Sequence, residues 1–405
     1  MKLKGFTAGL EKNYKLFQMN SVTQNYEKEM LEWRHDFHAH PELNFDLDIT
    51  SSKVADILKS FGLEVHEGIG KTGIVAVLKN GNSNKSIGIR ADMDALPVTE
   101  ENDCTYKSNH EGKMHACGHD GHTAMALGAA KYLSNTKNFN GTVYFIFQPD
   151  EEKTQGAQAM IDDGLFETFP MDEVYAFHNL PGMELGTFAT RAGTITASES
   201  LFKIELRGQG GHSALPHMGV DTITVGTQII TALQSIVSRK INPAMNGVVS
   251  VTKFESDGNE NILPGHSIIS GDARALSPEA NQIIERSMKD IVDGTAKAHG
   301  VDYDFNYLTR TNMTINSKDQ AAFASKVAAD LFGEDKVDGN CDPKLFSEDF
   351  AQMLMVKPGC YILIGNGTEG THGQSLHSSN YDFNDKLLVI GSSFWSKLVE
   401  ERLND

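Results

Sequence analysis

The most constraining feature of the sequence is the stretch from His115 to His122, which reads His-Ala-Cys-Gly-His-Asp-Gly-His. Cys117 and His119 are separated by a single residue, and a third histidine follows at the end of the stretch. A thiolate and imidazoles this close together suit a zinc-like transition metal. The alternative is a small loop with a buried thiol and a capping imidazole. Because so many Cys, His and Asp side chains cluster here, we favour a metal site.

Two further segments place acidic and imidazole groups directly after apolar runs that predict strands. Glu151 and Glu152 follow the run at 143–147, and His178 follows the run at 174–176. Adjacent side chains point in different directions, so one glutamate can bind a metal while the other takes a proton from metal-bound water. The alternatives are a solvated helix start for the glutamates and a core position for His178. Joined to the Cys/His stretch, both segments favour metal-hydrolase chemistry.

Other candidate groups have weaker local signals. Asp92 and Asp94 share one side of an extended segment, where a carboxylate can orient a ligand imidazole or form a turn with its own backbone. His377 is a candidate ligand near the C-terminus, and His372 could substitute for it. His212 lies in a glycine-rich connection that lacks the Lys-Ser/Thr ending of a phosphate loop. Its functional interpretation is a loop that carries the imidazole to a reacting carbonyl.

The size and charge of the chain limit the number of domains and the kinds of partner that it can have. A chain of 405 residues is expected to form two domains rather than one core. A formal net charge of −18 argues against nucleic acid or an anionic membrane as the partner. The four cysteines are widely spaced, which does not predict a disulfide framework, and one of them lies among histidines, which favours a reducing compartment. We see no signal peptide or bilayer-spanning apolar run, so we expect a cytoplasmic protein.

The order of predicted strands and helices divides the chain. Alternating strands and helices over 26–193 predict an α/β catalytic domain that binds ligands at its strand ends, with a helix starting near Gly121. Over 194–310 the pattern becomes β-α-β-β-α-β, the ferredoxin-like order, which predicts an inserted domain. The first pattern resumes over 311–405 and completes the catalytic domain. Residues 1–25 are expected to form an N-terminal extension.

Taken together, these motifs resemble the M20 metallopeptidase family, and within it the amidohydrolase branch. That branch includes hippurate hydrolases, N-acyl-amino-acid amidohydrolases, indoleacetyl-amino-acid hydrolases and N-acetyldiaminopimelate deacetylases. The resemblance extends from Arg34 to the C-terminus. Its motifs are Arg34…His38-x-x-Pro41-Glu42-Leu43, the segment 88–97, the stretch around Cys117, Gln148-Pro149-x-Glu151-Glu152, His178-Asn179-x-Pro181, Gly210-Gly211-His212, Asn261-Ile262-x-Pro264, Ser347-Glu348-Asp349-Phe350 and Leu376-His377-Ser378.

The resemblance implies a role for each matched position of the site. It implies two divalent metal ions, of zinc, manganese, cobalt or nickel, and a general base that acts next to them. The implied metal ligands are Cys117, His119, Glu152, His178 and His377. Glu151 would be the general base and later the acid, and Asp94 a carboxylate that supports the active site.

The resemblance also implies an architecture and a set of partners. The catalytic domain would be a mixed sheet flanked by helices, and the inserted domain would serve as a lid and as the contact of a homodimer. His212 would stabilise the carbonyl or oxyanion, in its own site or in that of the partner subunit. Asn261 and Arg274 are the implied groups that hold the carboxylate of the substrate.

The expected activity is metal-assisted hydrolysis of the amide bond of a small-molecule N-acyl amino acid, with N-acetyl, N-benzoyl or a related acyl group. The products would be a carboxylate and a free amino acid. Two alternatives stay open: a dipeptidase or aminopeptidase of the same fold, and a non-catalytic metal-binding scaffold protein. A panel of acylated amino acids tested beside dipeptides with a free amine distinguishes the first alternative from the expected activity.

Overall fold

The computed structural model of the protein describes residues 22–404. In chain order its α-helices are α1 (Glu27–Ala39), α2 (Asp48–Ser60), α3 (His119–Thr136), α4 (Gly156–Asp162), α5 (Leu165–Thr168), α6 (Thr222–Leu233), α7 (Pro278–His299), α8 (Lys318–Phe332), α9 (Phe350–Val356) and α10 (Leu387–Asn404). Its strands are β1 (Glu64–Ile69), β2 (Gly73–Asn80), β3 (Ser86–Asp92), β4 (Gly141–Gln148), β5 (Glu173–Pro181), β6 (Phe188–Ala189), β7 (Gly193–Thr196), β8 (Ser198–Arg207), β9 (Gly211–His212), β10 (Gly247–Ser256), β11 (Ile262–Leu263), β12 (His266–Ala275), β13 (Asp302–Thr311), β14 (Thr314–Asn316), β15 (Val337–Asp338) and β16 (Gly359–Gly367).

The described chain forms two compact units. The first contains the described residues up to Gly193, the segment Ile315–Cys341 and the residues from Gln352 onward. The second contains Thr194–Thr314 and the short segment Asp342–Ala351. That short segment lies outside the range 194–310 that the element pattern predicts for the inserted domain.

The first unit is built on an eight-stranded mixed sheet with the order β1-β2-β4-β3-β5-β16-β6-β15. Its central strands β4, β3, β5 and β16 pair in parallel, whereas β1 pairs antiparallel with β2, and β2 antiparallel with β4. Strands β3 and β16 are buried along their whole length, which is typical of parallel strands covered on both faces. The predicted α/β class with a mixed sheet is what the structure has.

The core of this unit lies between the sheet and its helices. Helices α3 and α10 pack against each other. Phe177 of β5 stacks on Trp395 of α10, with ring centroids 4.4 Å apart and ring planes within 4°. Burial of a phenylalanine side chain of this kind stabilises a fold by roughly 1.5–3 kcal/mol. The helices therefore hold β5, which carries His178, at a defined place in the sheet.

The register of the central strands brings separate chain segments to one edge of the sheet. β3 pairs with β4 so that Asp92 lies opposite Gln148, and β3 pairs with β5 so that Arg90 lies opposite Ala176. Because parallel strands end at the same edge, Asp92, the segment after Gln148 and His178 arrive together. This edge is where the sequence predicts bound ligands.

The chain is anchored to the first unit from the start of its described part. Thr23 is fully buried, and its hydroxyl lies 2.6 Å from Oγ of Ser392 and 2.9 Å from Oγ of Ser393, both in α10. A 3-10 turn at Gln24–Tyr26 leads into α1. The predicted N-terminal extension of residues 1–25 falls mainly on residues 1–21, which lie outside the described residues.

The second unit has the element order β8-α6-β10-β12-α7-β13, and its four antiparallel strands lie in the order β10-β12-β8-β13. Both helices have conventional N-caps: the Asp221 carboxylate accepts the N–H of Ile223 at 2.9 Å, and the Ser277 hydroxyl accepts the N–H of Ala280 at 3.1 Å. Burial alternates along β12, so one face of the sheet packs on the helices.

Two local features differ from the sequence-based expectation. Helix α3 begins at His119 rather than near Gly121, so a predicted ligand lies in its first turn. Strand β1 lacks a sequence signal, because none of its residues is buried and its apolar residues do not alternate. Within residues 22–404, none of the helices has the length and apolar character needed to cross a membrane.

Candidate metal centre

Cys117 and His119 reach the sheet edge through a tight turn into helix α3. Gly118, between them, has a φ of 97°, in the left-handed region that favours glycine. A Cβ atom at this position would lie 2.3 Å from Oδ1 of Asn179 and 2.6 Å from the hydroxyl of Tyr381. Both the backbone geometry and the close packing therefore require glycine between the two candidate ligands.

Three of the predicted ligands form one cluster. Ligand atoms of Cys117, His119 and Glu152 all lie within 4.8 Å of one another. The thiol of Cys117 lies 3.3 Å from Nε2 of His178. Cys117, His119 and His178 are buried, so this part of the site is closed to bulk solvent. The structure thus brings together side chains from the turn before α3, from the segment after β4 and from β5.

His377 approaches the same cluster from the C-terminal part of the chain. Its Nε2 lies 3.4 Å from Oε2 of Glu152, and its backbone N–H donates to the carbonyl of Ala116 at 2.8 Å. Its side chain is 53% exposed and its φ is 68°. All five predicted ligands therefore lie in one neighbourhood, with His377 on its solvent side. The alternative histidine, His372, directs Nδ1 to the backbone carbonyl of Asp382 at 3.2 Å instead.

Asp94 organises the segment that carries the two glutamates. Its carboxylate oxygens accept the backbone N–H groups of Glu151 and Glu152, each at 3.1 Å. The backbone carbonyl of Asp94 lies 2.8 Å from Nδ1 of His119, which leaves Nε2 of that ring directed at the cluster. One residue thus positions one imidazole and two carboxylate-bearing residues.

Asp92 is the second carboxylate behind the site. Its Oδ1 lies 2.6 Å from Nδ1 of His122, and its Oδ2 accepts from Nη1 of Arg90 at 2.7 Å. His122 lies in turn 2.8 Å from Oδ1 of Asn179. Asp92, His119, His122 and His178 form a second group of ligand atoms within 4.8 Å. The two hydrogen-bond partners of His122 fit a role in supporting the site rather than in binding a metal directly.

Two orphaned atoms test whether a cation fits this site. Nε2 of His119 and Oε1 of Glu152 are buried and have no hydrogen-bond partner among the described residues. They lie 3.9 Å apart. Buried polar atoms normally have partners, and a divalent cation bound by imidazole, carboxylate and thiolate would satisfy both atoms. The donor set therefore fits a transition-metal centre.

The carboxylates around the cluster raise the pKa values of two of its candidate ligands. Burial lowers the pKa of His119, but the carboxylates of Asp92, Asp94 and Glu152 raise it to about 10. Burial, together with the carboxylates of Glu152, Glu151 and Asp92, raises the pKa of the Cys117 thiol well above its usual value. The negative charge that favours these protons would also favour a bound cation, and metal binding would release the protons.

The surroundings of His178 suit a neutral imidazole that could bind a metal. Burial and the neighbouring His122 hold its pKa well below the usual value. Its Nδ1 lies 2.7 Å from the backbone carbonyl of Asn179, which assigns the proton to Nδ1 and leaves Nε2 as the donor atom. This backbone contact explains why a histidine at the end of β5 can be a ligand rather than a core residue.

His115 differs from the other histidines of the stretch. Its ring is 1% exposed, and neither ring nitrogen has a hydrogen-bond partner among the described residues. Burial lowers its pKa to about 3, so the ring is neutral. It belongs to neither of the two groups of ligand atoms described above. The spacing of these residues in the sequence does not show that His115 lies outside the group of candidate ligands formed by Cys117 and His119.

The remaining candidate residues lie in the second unit. His212 is exposed in β9 and pairs with Ile262 of β11, directly next to Asn261. Arg274 of β12 donates to Glu199 at 3.0 Å, to Asp272 at 2.8 Å and to the hydroxyl of Ser347 at 2.6 Å. The guanidinium of Arg274 therefore already has two carboxylate partners, which its sequence context did not reveal.

The comparisons with known proteins agree with the family that the motifs predict. The family model for peptidase family M20/M25/M40 matches residues 88–401. The hippurate hydrolase of Campylobacter jejuni subsp. jejuni is 44% identical over 366 residues, which cover 90% of this chain and 94% of that protein. The N-acyl-L-amino acid amidohydrolase of Geobacillus stearothermophilus is 38% identical over 293 residues, which cover 72% of this chain and 78% of that protein.

A solved structure extends the agreement to the fold. A Bacillus subtilis protein, described as a dinuclear metal-binding peptidase of the M20 family, superposes with a TM-score of 0.83 at 28% identity. The superposition covers 94% of this chain and 99% of that one. The family that the motifs predict is confirmed, and this chain belongs to peptidase family M20/M25/M40.

Proposed function

We propose that this protein is a metal-dependent amidohydrolase that cleaves the amide bond of N-acyl amino acids. The products are a carboxylate and a free amino acid. The observation that carries the proposal is that the candidate ligands lie together. Two of their buried atoms, Nε2 of His119 and Oε1 of Glu152, have no hydrogen-bond partner among the described residues. Among the relatives, hippurate hydrolase and N-acyl-L-amino acid amidohydrolase are named for substrates of this class.

The cofactor is a pair of divalent cations, of zinc, manganese, cobalt or nickel. The proposed ligands are Cys117, His119, Glu152, His178 and His377. These side chains would hold the two cations, and the pair would supply polarisation of the acyl carbonyl and of the attacking water, which typically lowers a barrier by several kcal/mol. The mixture of thiolate, imidazole and carboxylate suits any of these metals, because none of the donor types selects one of them alone.

Glu151 is the proposed general base. It takes a proton from the attacking water and then returns this proton to the leaving amine. Its backbone N–H and that of Glu152 are bonded to the two oxygens of one carboxylate, that of Asp94. This arrangement supports separate roles for Glu151 as base and Glu152 as metal ligand, because adjacent residues on a fixed backbone direct their side chains differently. Asp94 thereby acts through the glutamates and His119.

We propose that residues of the second unit contact the substrate. His212 is assigned to the carbonyl or oxyanion, in its own site or in that of a partner subunit, and Asn261 and Arg274 to the substrate carboxylate. For Arg274 this requires the substrate to replace one of its partners, Glu199 or Asp272. Asn261, which is exposed and directly precedes the residue of β11 that pairs with His212, does not face this requirement.

A substrate panel tests the proposed activity. The purified protein is loaded with zinc or manganese and assayed against N-benzoyl and N-acetyl amino acids and against dipeptides with a free amine. We expect hydrolysis of the acylated amino acids. Faster hydrolysis of the dipeptides would instead establish a peptidase of the same fold. Absence of turnover with two bound cations would establish a scaffold protein.

We also propose a cytoplasmic homodimer that forms through the second unit. The location is supported by the free thiols of all four cysteines, since a thiolate ligand such as Cys117 is favoured in a reducing compartment. The dimer is supported by the family resemblance of the inserted domain. Sedimentation equilibrium of the full chain, and of a variant with charges introduced at Leu215 and Met218, tests it. Both side chains are exposed beside His212.

A further inference from the structure

The buried side chain of Arg34 in helix α1 is not part of the proposed chemistry. It is fully buried and donates to three carboxylates. Its Nε lies 2.9 Å from Oδ2 of Asp120, its Nη2 2.6 Å from Oδ1 of Asp382 and its Nη1 3.1 Å from Oδ1 of Asp385. The guanidinium also lies over the ring of Tyr106, 4.6 Å from its centroid. Few side chains other than arginine can bridge three separate acceptors in this way.

The acceptors belong to the two chain segments that bring ligands to the site. Asp120 lies in the first turn of α3, next to His119. Asp382 and Asp385 lie in the segment that follows His377 and leads to α10. Arg34 therefore joins the start of α3 to the segment after His377. The two segments are distant in sequence, and each carries one or more proposed ligands.

Close packing supports the same connection. A Cβ atom on Gly121 would lie 2.4 Å from the ring of Phe383, so α3 and this segment touch through the glycine. The amide of Asn179 donates to the hydroxyl of Tyr381 at 2.6 Å. The segment at 381–383 is thus held from two sides against the turn that carries Cys117 and His119. The side chain of His377 itself is 53% exposed.

We infer that Arg34 is a positioning residue that holds His377 in register with Cys117, His119 and Glu152. The inference rests on the proposed ligand set. Buried ionic networks add little to stability compared with apolar packing, and their best-attested use is to specify one arrangement. Loss of the three-way bridge would let the segment after His377 shift, and the cation that His377 binds would be held less tightly.

The test compares Arg34→Lys with a matched control, Arg402→Lys, in the full-length protein. Lysine keeps the charge but loses the fork that bridges several carboxylates. Arg402 also donates to a buried carboxylate, that of Glu173 at 2.9 Å, but Glu173 is at the start of β5 rather than at the end that carries His178. Zinc affinity is measured by competition with a chelator, and thermal unfolding is recorded for both variants.

We expect Arg34→Lys to bind one of its zinc ions about 10-fold to 100-fold more weakly, the usual effect of changing a group that orients a ligand. Arg402→Lys should keep the affinity of the unchanged protein at a similar loss of thermal stability. Asp382→Asn removes a single contact of the bridge and should weaken zinc in the same direction. Should Arg34→Lys fail to fold, this second variant decides the question.

The effect must pass through His377, and a double-variant cycle shows whether it does. In a His377→Ala background, Arg34→Lys should cause no further loss of zinc affinity, because coupled residues are non-additive. An equal loss in both backgrounds, or an unchanged affinity in Arg34→Lys, overturns the inference. If His377→Ala alone binds two zinc ions as tightly as the unchanged protein, the ligand assignment itself is wrong, and the inference is overturned with it.

Discussion

The carboxylate of Asp94 accepts the backbone N–H of Glu151 at 3.1 Å. Its other oxygen accepts the N–H of the next residue, Glu152, at the same distance. A single aspartate in the segment just after β3 therefore fixes the backbone of the segment that follows β4. Glu151, the proposed base, and Glu152, a proposed metal ligand, are consecutive residues. Their two hydrogen bonds to Asp94 fix the orientation of the backbone at both residues.

Replacement of Glu151 by glutamine should lower kcat for an N-acyl amino acid by roughly 10²-fold to 10⁴-fold, the usual contribution of a general base. The amide cannot accept the proton of the attacking water, yet the ligands of the cations are intact. The measurement is steady-state hydrolysis together with metal content per chain. Glu167→Gln, an exposed position in α5, is the control and should change neither quantity. Retained turnover in Glu151→Gln would show that another group is the base.

Removal of the cations should lower the midpoint of thermal unfolding. A ligand that binds only the folded state stabilises it by about 2.7 kcal/mol at a concentration of 100 times its Kd. A chelator should reverse this gain, and added zinc should restore it. In Cys117→Ser the chelator should have a smaller effect, because one ligand is lost. An unfolding midpoint that is the same with and without chelator would contradict a site of this kind.

Gly118→Ala should destabilise the fold and weaken metal binding together. The left-handed φ of 97° costs an alanine about 1–2 kcal/mol, and the new Cβ would also strike Asn179 and Tyr381. Gly182→Ala is a matched control, because its φ is 86° and nothing lies within 4 Å of the Cβ position. The difference between the two variants in free energy of unfolding measures the packing at the turn. Equal losses would mean that the turn can move without cost.

The buried imidazole of His38 should make stability depend on pH. Burial lowers its pKa, but hydrogen bonds with Asp120 and Glu100 raise it above the usual 6.5. The folded-state value is raised, so the stabilising contribution is fully present below pH 6.5 and is lost as the pH rises through the folded-state pKa. His38→Gln should therefore lose about 2 kcal/mol near pH 6 and less at higher pH.

The measurement for His38 is the free energy of unfolding by urea at two pH values. The control is His66→Gln on the edge strand β1, where the ring is partly exposed and pairs with Glu64 at 2.8 Å. The control should show a small loss at either pH, as surface ion pairs do. A loss for His38→Gln that grows as the pH rises would contradict the assigned direction.

The sequence alone determined the parts of this protein that depend on near neighbours in the chain. The sequence pattern over 194–310 predicted the order β-α-β-β-α-β, and the second unit has the order β8-α6-β10-β12-α7-β13. The spacing of Cys117 and His119 indicated a metal site, because one short turn carries both side chains. The motifs also identified the M20 family, which the comparisons confirmed.

The tertiary structure decided what depends on contacts between distant segments. Strand β1 forms at a sheet edge and has no buried residue, so it carries no periodic apolar signal. The bridge from Arg34 to Asp120 and Asp382, and the ion pair of Arg274 with Glu199, join residues that are far apart along the chain. Local residue patterns report only which side chains are near in sequence. Which distant charges become partners is determined when the sheet and its helices pack, because packing sets the distances on which ion pairs and metal ligation depend.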